Sequence, residues 1–140
     1  MTVRLKVKGG DEIARRLEAM GAKAGIIIED AAMAGAEVLR KAASENAAKG
    51  KYATGELASH IVAEVTDVDR LSAEIAVGPD KDMYYAPWVE FGHNLVEGKK
   101  VVGRVPPHPF LRPALDENKK EARTAFANEI KRRLGLAQGK

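Results

Sequence analysis

The side chains that could do chemistry are three histidines, three serines and a set of carboxylates, because the 140 residues include no cysteine. The lack of cysteine excludes disulfides, thiolate metal sites and cysteine nucleophiles. His60, His93 and His108 have neither helical ligand spacing nor a His-Glu-x-x-His motif. His93, His108 and Glu90 would form a metal site only if the segment between them folded back. We therefore expect no metal and no cofactor, and local packing or hydrogen bonding for His108.

Motifs for nucleophilic catalysis and for phosphate binding are missing as well. Ser44, Ser59 and Ser72 do not lie in a Gly-x-Ser-x-Gly motif, and no glycine loop ends in Lys-Ser or Lys-Thr. Ser59 directly precedes His60, but neighbouring residues of a strand point to opposite faces of the sheet. The sequence predicts that the protein is not an enzyme.

The composition indicates one globular domain. Hydrophobic residues make up 45% of the chain and charged residues 31%, which are ordinary values for a folded protein. A chain of this length can bury one core, so we expect a single domain over residues 1–135 and a short loose tail at 136–140. The sequence shows neither the apolar run of a signal peptide nor one of membrane-spanning length, which predicts no membrane partner.

The first half of the sequence predicts a strand followed by two helices. Apolar and basic residues alternate over residues 2–8, which is typical of a half-buried strand, and Gly9-Gly10 ends it. Helical spacing continues over residues 11–48, with a break expected near Gly21 and Gly25. The second helix carries a stripe that we expect to be buried, formed by Ile27, Ala31, Ala34, Val38 and Ala42.

The second half of the sequence predicts a β-hairpin, an exposed loop and a last helix. Residues 57–65 and 71–77 have strand patterns, and residues 67–70 have the composition of a turn. Residues 94–104 are polar, basic and glycine-containing, which indicates an exposed loop. A helix is expected over residues 113–134. Its expected inward residues are Leu115, Ala122, Phe126, Ile130 and Leu134, and its expected C-cap is Gly135.

This order of elements predicts an α+β fold. The sheet should be small and mainly antiparallel, and it should be accompanied by a long N-terminal helical region and a C-terminal helix.

Basic residues gather in two places. Residues 118–140 contain seven Lys or Arg and two Glu, a local charge of +5, whereas the whole chain carries +3. A basic C-terminal region can indicate a nucleic-acid or acidic-protein partner, but the usual enrichment of cations toward a helix C-terminus explains it without one. Lys99, Lys100 and Arg104 lie on the predicted loop, where cations can contact phosphates. No helix-turn-helix and no aromatic strand platform is visible, so a small basic protein that binds DNA without sequence specificity is one candidate function.

Four of the seven aromatic residues fall within residues 84–91. Residues 85–92 read Tyr-Ala-Pro-Trp-Val-Glu-Phe-Gly, and residues 107–115 read Pro-His-Pro-Phe-Leu-Arg-Pro-Ala-Leu. With Thr-Gly-Glu-Leu-Ala-Ser-His-Ile at residues 54–61, these motifs resemble those of the phage tail-component or neck proteins typified by gene product ten of the lambdoid phage HK-ninety-seven. The resemblance covers roughly residues 10–135.

The resemblance implies a structural virion protein of a tailed phage or prophage that acts in head–tail joining, tail completion or tail termination. Proteins of that class commonly form rings around the DNA channel, often of six copies. The implied partners are therefore further copies of this chain, neighbouring connector and tail proteins, and DNA in the channel. The implied location is the head–tail junction of the virion, after assembly in the cytoplasm of the bacterial host.

The motifs also supply candidate site residues. The candidates for structural or interface roles are Tyr85, Trp88, Glu90, Phe91, Gly92, Pro109, Phe110, Arg112 and Pro113. The candidates for contact with DNA or a partner protein are Lys99, Lys100 and Arg104.

Physical reasoning assigns roles to some of these candidates. On an extended segment Glu90 would face away from its neighbours, so we hypothesise an ion pair between Glu90 and Arg112, within a subunit or between subunits. We expect at least two of Tyr85, Trp88, Phe91 and Phe110 to pack in the core, because this core has few aromatic residues. Trp88 is the expected interface anchor.

Overall fold

The computed structural model describes residues 2–8, 11–50, 53–69 and 72–135. The predicted tail at 136–140 and the predicted break at Gly9-Gly10 lie outside these ranges. The elements in chain order are β1 (Val3–Lys8), α1 (Asp11–Met20), α2 (Lys23–Ala48), α3 (Glu56–Ser59), β2 (Ile61–Val68), β3 (Ser72–Pro79), α4 (Ala86–Phe91), β4 (His93–Glu97), β5 (Lys100–Val105) and α5 (Leu111–Leu134). The predicted α+β fold class is confirmed.

The main sheet is antiparallel, with β3 in its centre and β1 and β2 as its two edges. Leu5 of β1 is opposite Ile75 of β3, and Ile75 is opposite Val65 of β2. Because side chains alternate along a strand, this register places Leu5, Ile75 and Val65 on one face of the sheet. A bulge follows Val65 and disturbs the pairing at the end of β2. The predicted hairpin is confirmed, but residues 57–60 were wrongly included in its first strand and belong to the turn around α3.

Helices α2 and α5 pack against each other, and together they cover the apolar face of the sheet. The largest fully buried side chains between these layers include Ile28, Leu39, Ile75, Phe126 and Ile130. The two helix backbones lie close together at Gly35, where a Cβ atom would lie 2.9 Å from the carbonyl oxygen of Ala122. A side chain there would force the backbones to shift, so the glycine permits the short distance between the helices.

Helix α2 buries more than the predicted stripe. The break near Gly21 is confirmed, since α1 ends at Met20 and α2 begins at Lys23. Ala34, Val38 and Ala42 are only partly buried, whereas neighbouring positions such as Leu39 are fully buried. The helix contacts both the sheet and α5, so its buried face is wider than the stripe of a helix that packs on one layer.

Helix α5 agrees with its prediction apart from its first turn. Ala122, Phe126 and Ile130 are buried, and Leu115 and Leu134 pack at the edge of the core. The helix ends at Gly135, which has a φ of +73° and donates its N–H to the carbonyl of Arg132. It begins at Leu111, two residues before the predicted start.

Residues 94–104 are not a loop, so that prediction was wrong. Strands β4 and β5 pair with each other as an antiparallel hairpin with its turn at Gly98, which has a φ of +61°. We call residues 93–105 the hairpin arm, because the two strands pack chiefly on each other rather than on the rest of the fold, which we call the body. Its large apolar side chains, Leu95, Val96, Val101 and Val102, are 45–60% exposed.

None of the helices in the described ranges combines the length and the apolar character that crossing a membrane requires.

Candidate functional site

The candidate site is centred on Glu90, a buried carboxylate in the short helix α4. Pro87 lies in the first turn of this helix, where its missing N–H costs no hydrogen bond. In a helix, Glu90 lies one turn after Ala86, and both residues are buried. The side chain of Glu90 is only 4% exposed. A buried carboxylate must accept hydrogen bonds to offset the loss of its water. Because Glu90 is shielded from solvent, its donors must belong to the protein itself.

The donors are backbone N–H groups at the start of α5. The N–H of Phe110 and the N–H of Leu111 donate to Glu90 Oε2 at 2.7 Å and 3.0 Å, and the N–H of Arg112 donates to Oε1 at 3.1 Å. The first four N–H groups of a helix have no partner within the helix, and the helix dipole favours a negative group beside them. The fourth position is Pro113, which has no N–H. Glu90 therefore caps the whole N-terminus of α5 from a distant segment.

The hypothesised ion pair between Glu90 and Arg112 is wrong within the subunit. Glu90 contacts the backbone of Arg112, whereas the guanidinium of Arg112 is exposed and lies 3.4 Å from the carboxylate of Asp116. The prediction failed because it assumed that residues 85–92 are extended. In the helical segment Glu90 turns inward, where a guanidinium could not follow it without losing its water.

A second set of hydrogen bonds holds the proline segment against the body. The N–H of His108 donates to the carbonyl of Val89 at 2.7 Å, and His108 Nε2 lies 3.2 Å from the carbonyl oxygen of Asn46 on α2. The side chain of Asn46 in turn donates to the carbonyl of Phe110 at 3.3 Å. These contacts connect the end of α2, α4 and the start of α5 in one joint.

Gly92 closes the joint at the base of the hairpin arm. Its φ of +74° and ψ of 173° lie in a region that only glycine adopts readily. A Cβ atom on Gly92 would also lie 2.6 Å from the carbonyl oxygen of Val105 and 2.9 Å from the nitrogen of Pro107. Both ends of the arm therefore meet at one point, and the absence of a side chain on Gly92 makes this possible.

The aromatic candidates divide into buried and exposed residues. Phe110 is fully buried, and Tyr85 is partly buried and packs at the edge of the core. Burial and the nearby carboxylate of Glu56 raise the pKa of the Tyr85 hydroxyl. Trp88 and Phe91 are 51% and 65% exposed. The structure thus has two aromatic residues in or against the core, as expected, and leaves Trp88 available for contact with a partner.

We call Tyr84, Trp88 and Phe91 the aromatic patch. The rings of Tyr84 and Trp88 meet edge to face, with 6.0 Å between their centroids. Beside the patch lies a groove of about 540 Å³ with a mainly apolar lining that includes Tyr85, Trp88 and Pro107. The groove adjoins both the aromatic patch and the base of the hairpin arm, since Trp88 and Val105 line it. Sequence reasoning missed this groove, because it is formed by segments far apart in the chain.

The remaining candidates lie at the surface. Pro109 is exposed and Pro113 is partly buried, beside the capped helix start. Lys99 and Lys100 are exposed at the turn of the hairpin arm. Arg104 is at the base of the arm, where its guanidinium donates to the carbonyl of Phe91 at 3.2 Å.

Two of the C-terminal cations make contacts within the subunit. Arg132 donates to Glu129 at 3.1 Å, and Arg133 pairs with Asp30 at 2.6 Å.

His60 and Asp80 form a polar pair that sequence reasoning missed. His60 Nδ1 lies 2.6 Å from Asp80 Oδ2, and with Asp82 these residues form a group in the described ranges whose side chains are close enough to share a metal ion. His93, His108 and Glu90 are not such a group. The pair could have been found from the hairpin register, because Ile61 is opposite Pro79 and the preceding and following residues must therefore meet.

The sequence of this chain matches one family model, described as "Bacteriophage HK97-gp10, putative tail-component", over residues 11–92. The match ends two residues after Glu90, so the proline motif at 107–115 lies outside it. No curated protein and no solved structure matches the chain. Because the match covers more than half of the chain, and the motif at 85–92 lies within it, the chain belongs to this family of phage tail-component proteins.

Proposed function

We propose that this phage structural protein is a non-enzymatic subunit of the head–tail junction of a tailed phage or prophage, where it acts in head–tail joining or tail completion. The observation that carries the proposal is the exposure of the aromatic patch beside an apolar groove, together with the exposed apolar side chains of the hairpin arm. Exposed apolar patches of this kind mark protein interfaces, and aromatic residues are typical anchors of such interfaces.

The partners in this proposal are other virion proteins and further copies of the chain. The family implies contact with other structural proteins of the phage and a location in the virion. We propose in addition that the subunits form a ring, of six copies by the resemblance described above, between connector and tail proteins. The capped joint around Glu90 supports this role, because it fixes the patch rigidly to the core, and a rigid anchor loses little entropy on binding.

The experiment is complementation of a phage or prophage from which the gene has been deleted. We expect deletion to leave heads and tails unjoined or tails incomplete in electron micrographs. Wild-type protein supplied from a plasmid should restore complete particles, and protein with Trp88→Ala and Phe91→Ala should not. Ile26→Ala is the matched control, because Ile26 is an exposed apolar residue of α2 outside the patch. Complete particles in the absence of the gene would refute the proposed function.

A tail terminator is an alternative position in the same junction, and a non-specific DNA-binding protein is an alternative function. Exposed Lys99 and Lys100 favour DNA contact. The internal ion pairs of Arg132 and Arg133 weaken the case for a basic C-terminal surface. DNA affinity of the free protein that falls steeply with salt, and that is lost in Lys99→Ala/Lys100→Ala, would support DNA binding. Immunogold labelling of the particle would separate a terminator from a connector-proximal layer.

A further inference from the structure

The described part of the chain has unpaired strand edges in both of its sheets. In the main sheet β1 and β2 each pair only with β3, and in the hairpin arm β4 and β5 pair only with each other. An unpaired edge presents backbone N–H and C=O groups that can bind a strand from another chain.

The hairpin arm is suited to add one of its strands to the sheet of another chain. A two-stranded hairpin is marginally stable in water unless it packs on something else. Within the subunit the arm packs chiefly on itself, and Val96, Val101 and Val102 are 56–60% exposed. A partner surface that covers these side chains would remove this apolar area from water.

The charges of the strands indicate which edge the hairpin arm would bind. Residues 93–105 contain Lys99, Lys100 and Arg104 against Glu97, a net charge of +2. Strand β1, with the sequence Val-Arg-Leu-Lys-Val-Lys, is also basic. Residues 61–69, which include the whole of β2, contain three carboxylates and no Lys or Arg. Like charges would oppose pairing of the arm with another arm or with β1, whereas β2 is complementary to it.

Strand β2 also offers a suitable surface. Val62 is 48% exposed, and Glu64 and Asp67 are exposed on the same strand. An acidic strand edge discourages neutral and acidic strands from adding to it, and it favours a basic one. The bulge between Val65 and Asp67 limits regular pairing to the first half of β2.

We propose that the hairpin arm of one copy of this protein adds to the free edge of β2 of a second copy. The cations at the turn of the arm then face Glu64 and Asp67, and the exposed valines of the arm cover Val62. The two surfaces differ, so the contact is head-to-tail: the first copy keeps a free β2 edge and the second keeps a free arm. Contacts of this kind can continue from copy to copy and close into a ring. This inference rests on the proposed assembly function, for which it supplies the contact between subunits.

A charge swap tests the contact. Lys99→Glu/Lys100→Glu and, separately, Glu64→Lys/Asp67→Lys should each weaken self-association of the full chain by about ten- to a hundredfold, because like charges would then oppose each other. All four substitutions in one chain should restore association toward the wild-type value. Lys119→Glu/Lys120→Glu, which changes the same charge on α5, is the matched control. Analytical ultracentrifugation measures the association, and circular dichroism confirms folding.

Cysteine crosslinking gives a second measurement that does not depend on charge. The chain has no cysteine, so any disulfide must come from introduced residues. Chains with Val62→Cys mixed with chains with Val101→Cys should form a mixed disulfide dimer on oxidation. The control mixes Val101→Cys with Met33→Cys, because Met33 is an exposed residue of α2.

The results distinguish this contact from the proposed function. A four-substitution chain that associates no better than its parents, a wild-type chain that stays monomeric, or crosslinking no stronger than in the control would each overturn the contact. If particles still require the gene while the contact fails, the assembly function stands and the subunits meet through another surface.

Discussion

Glu90 and Pro113 together account for all four backbone positions at the start of α5. Glu90 accepts the N–H groups of Phe110, Leu111 and Arg112, and Pro113 has no N–H that would need an acceptor. A side chain on one helix thus completes the first turn of another helix twenty residues away. These hydrogen bonds form only when α4 and the start of α5 are both in place, so the aromatic patch and α5 should be stabilised together.

Glu90→Gln should destabilise the protein although it changes few atoms. A glutamine side chain keeps one acceptor oxygen and turns an NH₂ group toward at least one backbone N–H. The expected loss is about 1–3 kcal/mol of unfolding free energy, the usual cost of an unsatisfied buried donor. Urea denaturation measures it.

Glu117→Gln is the matched control for this prediction. Glu117 is exposed on α5, so its substitution should change the unfolding free energy by no more than about 0.5 kcal/mol. Equal denaturation midpoints for the two variants would show that Glu90 does not cap the helix.

Gly92→Ala should destabilise the protein far more than Gly98→Ala, although both glycines have positive φ. Position 98 has no atom within 4 Å of an added Cβ, so alanine there should cost about 1–2 kcal/mol of backbone strain. At position 92 the added Cβ would also meet main-chain atoms of Val105 and Pro107, so we expect a loss of about 3 kcal/mol or more. Thermal denaturation compares the two, and similar melting temperatures would contradict this account of the joint.

Two glycines of α2 should respond in opposite directions. Gly25→Ala places a Cβ where nothing lies within 4 Å, so it should stabilise the helix by about 0.5–1 kcal/mol. Gly35→Ala places its Cβ against the carbonyl of Ala122 and should destabilise the protein by about 1–3 kcal/mol, because α2 and α5 would have to separate. Urea denaturation measures the change in unfolding free energy for each of the two variants. A stabilising Gly35→Ala would mean that the two helices are not in close contact there.

The pair of His60 and Asp80 should make stability depend on pH. Its hydrogen bond raises the pKa of His60 above the ordinary value and lowers the pKa of Asp80 below it. The contribution of His60 is complete below the unfolded pKa of about 6.5 and is lost as pH rises through the raised folded pKa. The contribution of Asp80 is present above about pH 4 and is lost as pH falls through its lowered folded pKa.

The contribution of the pair should therefore be largest between about pH 4 and pH 6.5, and small because both groups contact water. The stability of wild type relative to His60→Gln should decline as pH rises above this window. An NMR titration should place the pKa of His60 above its ordinary value. A stability difference that stays constant with pH, or a His60 pKa at or below the ordinary value, would refute the pairing.

Much of the fold could be predicted because burial leaves a pattern in the sequence. Strand β1, the hairpin of β2 and β3, the break at Gly21 and the inward face of α5 all follow from apolar periodicity. The hairpin arm could not be predicted in this way. Alternation appears when one face of a strand is buried, whereas the neighbouring residues Leu95 and Val96, and likewise Val101 and Val102, are all exposed.

The candidate site could be predicted in part. The motifs identified Glu90, Gly92 and Phe110 as important, but not what they do. The partners of Glu90 are backbone atoms, which every residue has, so no side-chain type indicates them. The helical form of residues 86–91 was also missed, although Pro87 is a residue that commonly begins a helix.

The hairpin arm leaves the body and returns to it at a single point. Gly92 and Val105 are in contact there, and the hydrogen bond between Val89 and His108 fastens the chain on both sides of it. Because its two ends meet, the arm could change in length or sequence without displacing the elements of the body. Related subunits with the same body could fit neighbours of different size simply by carrying different arms.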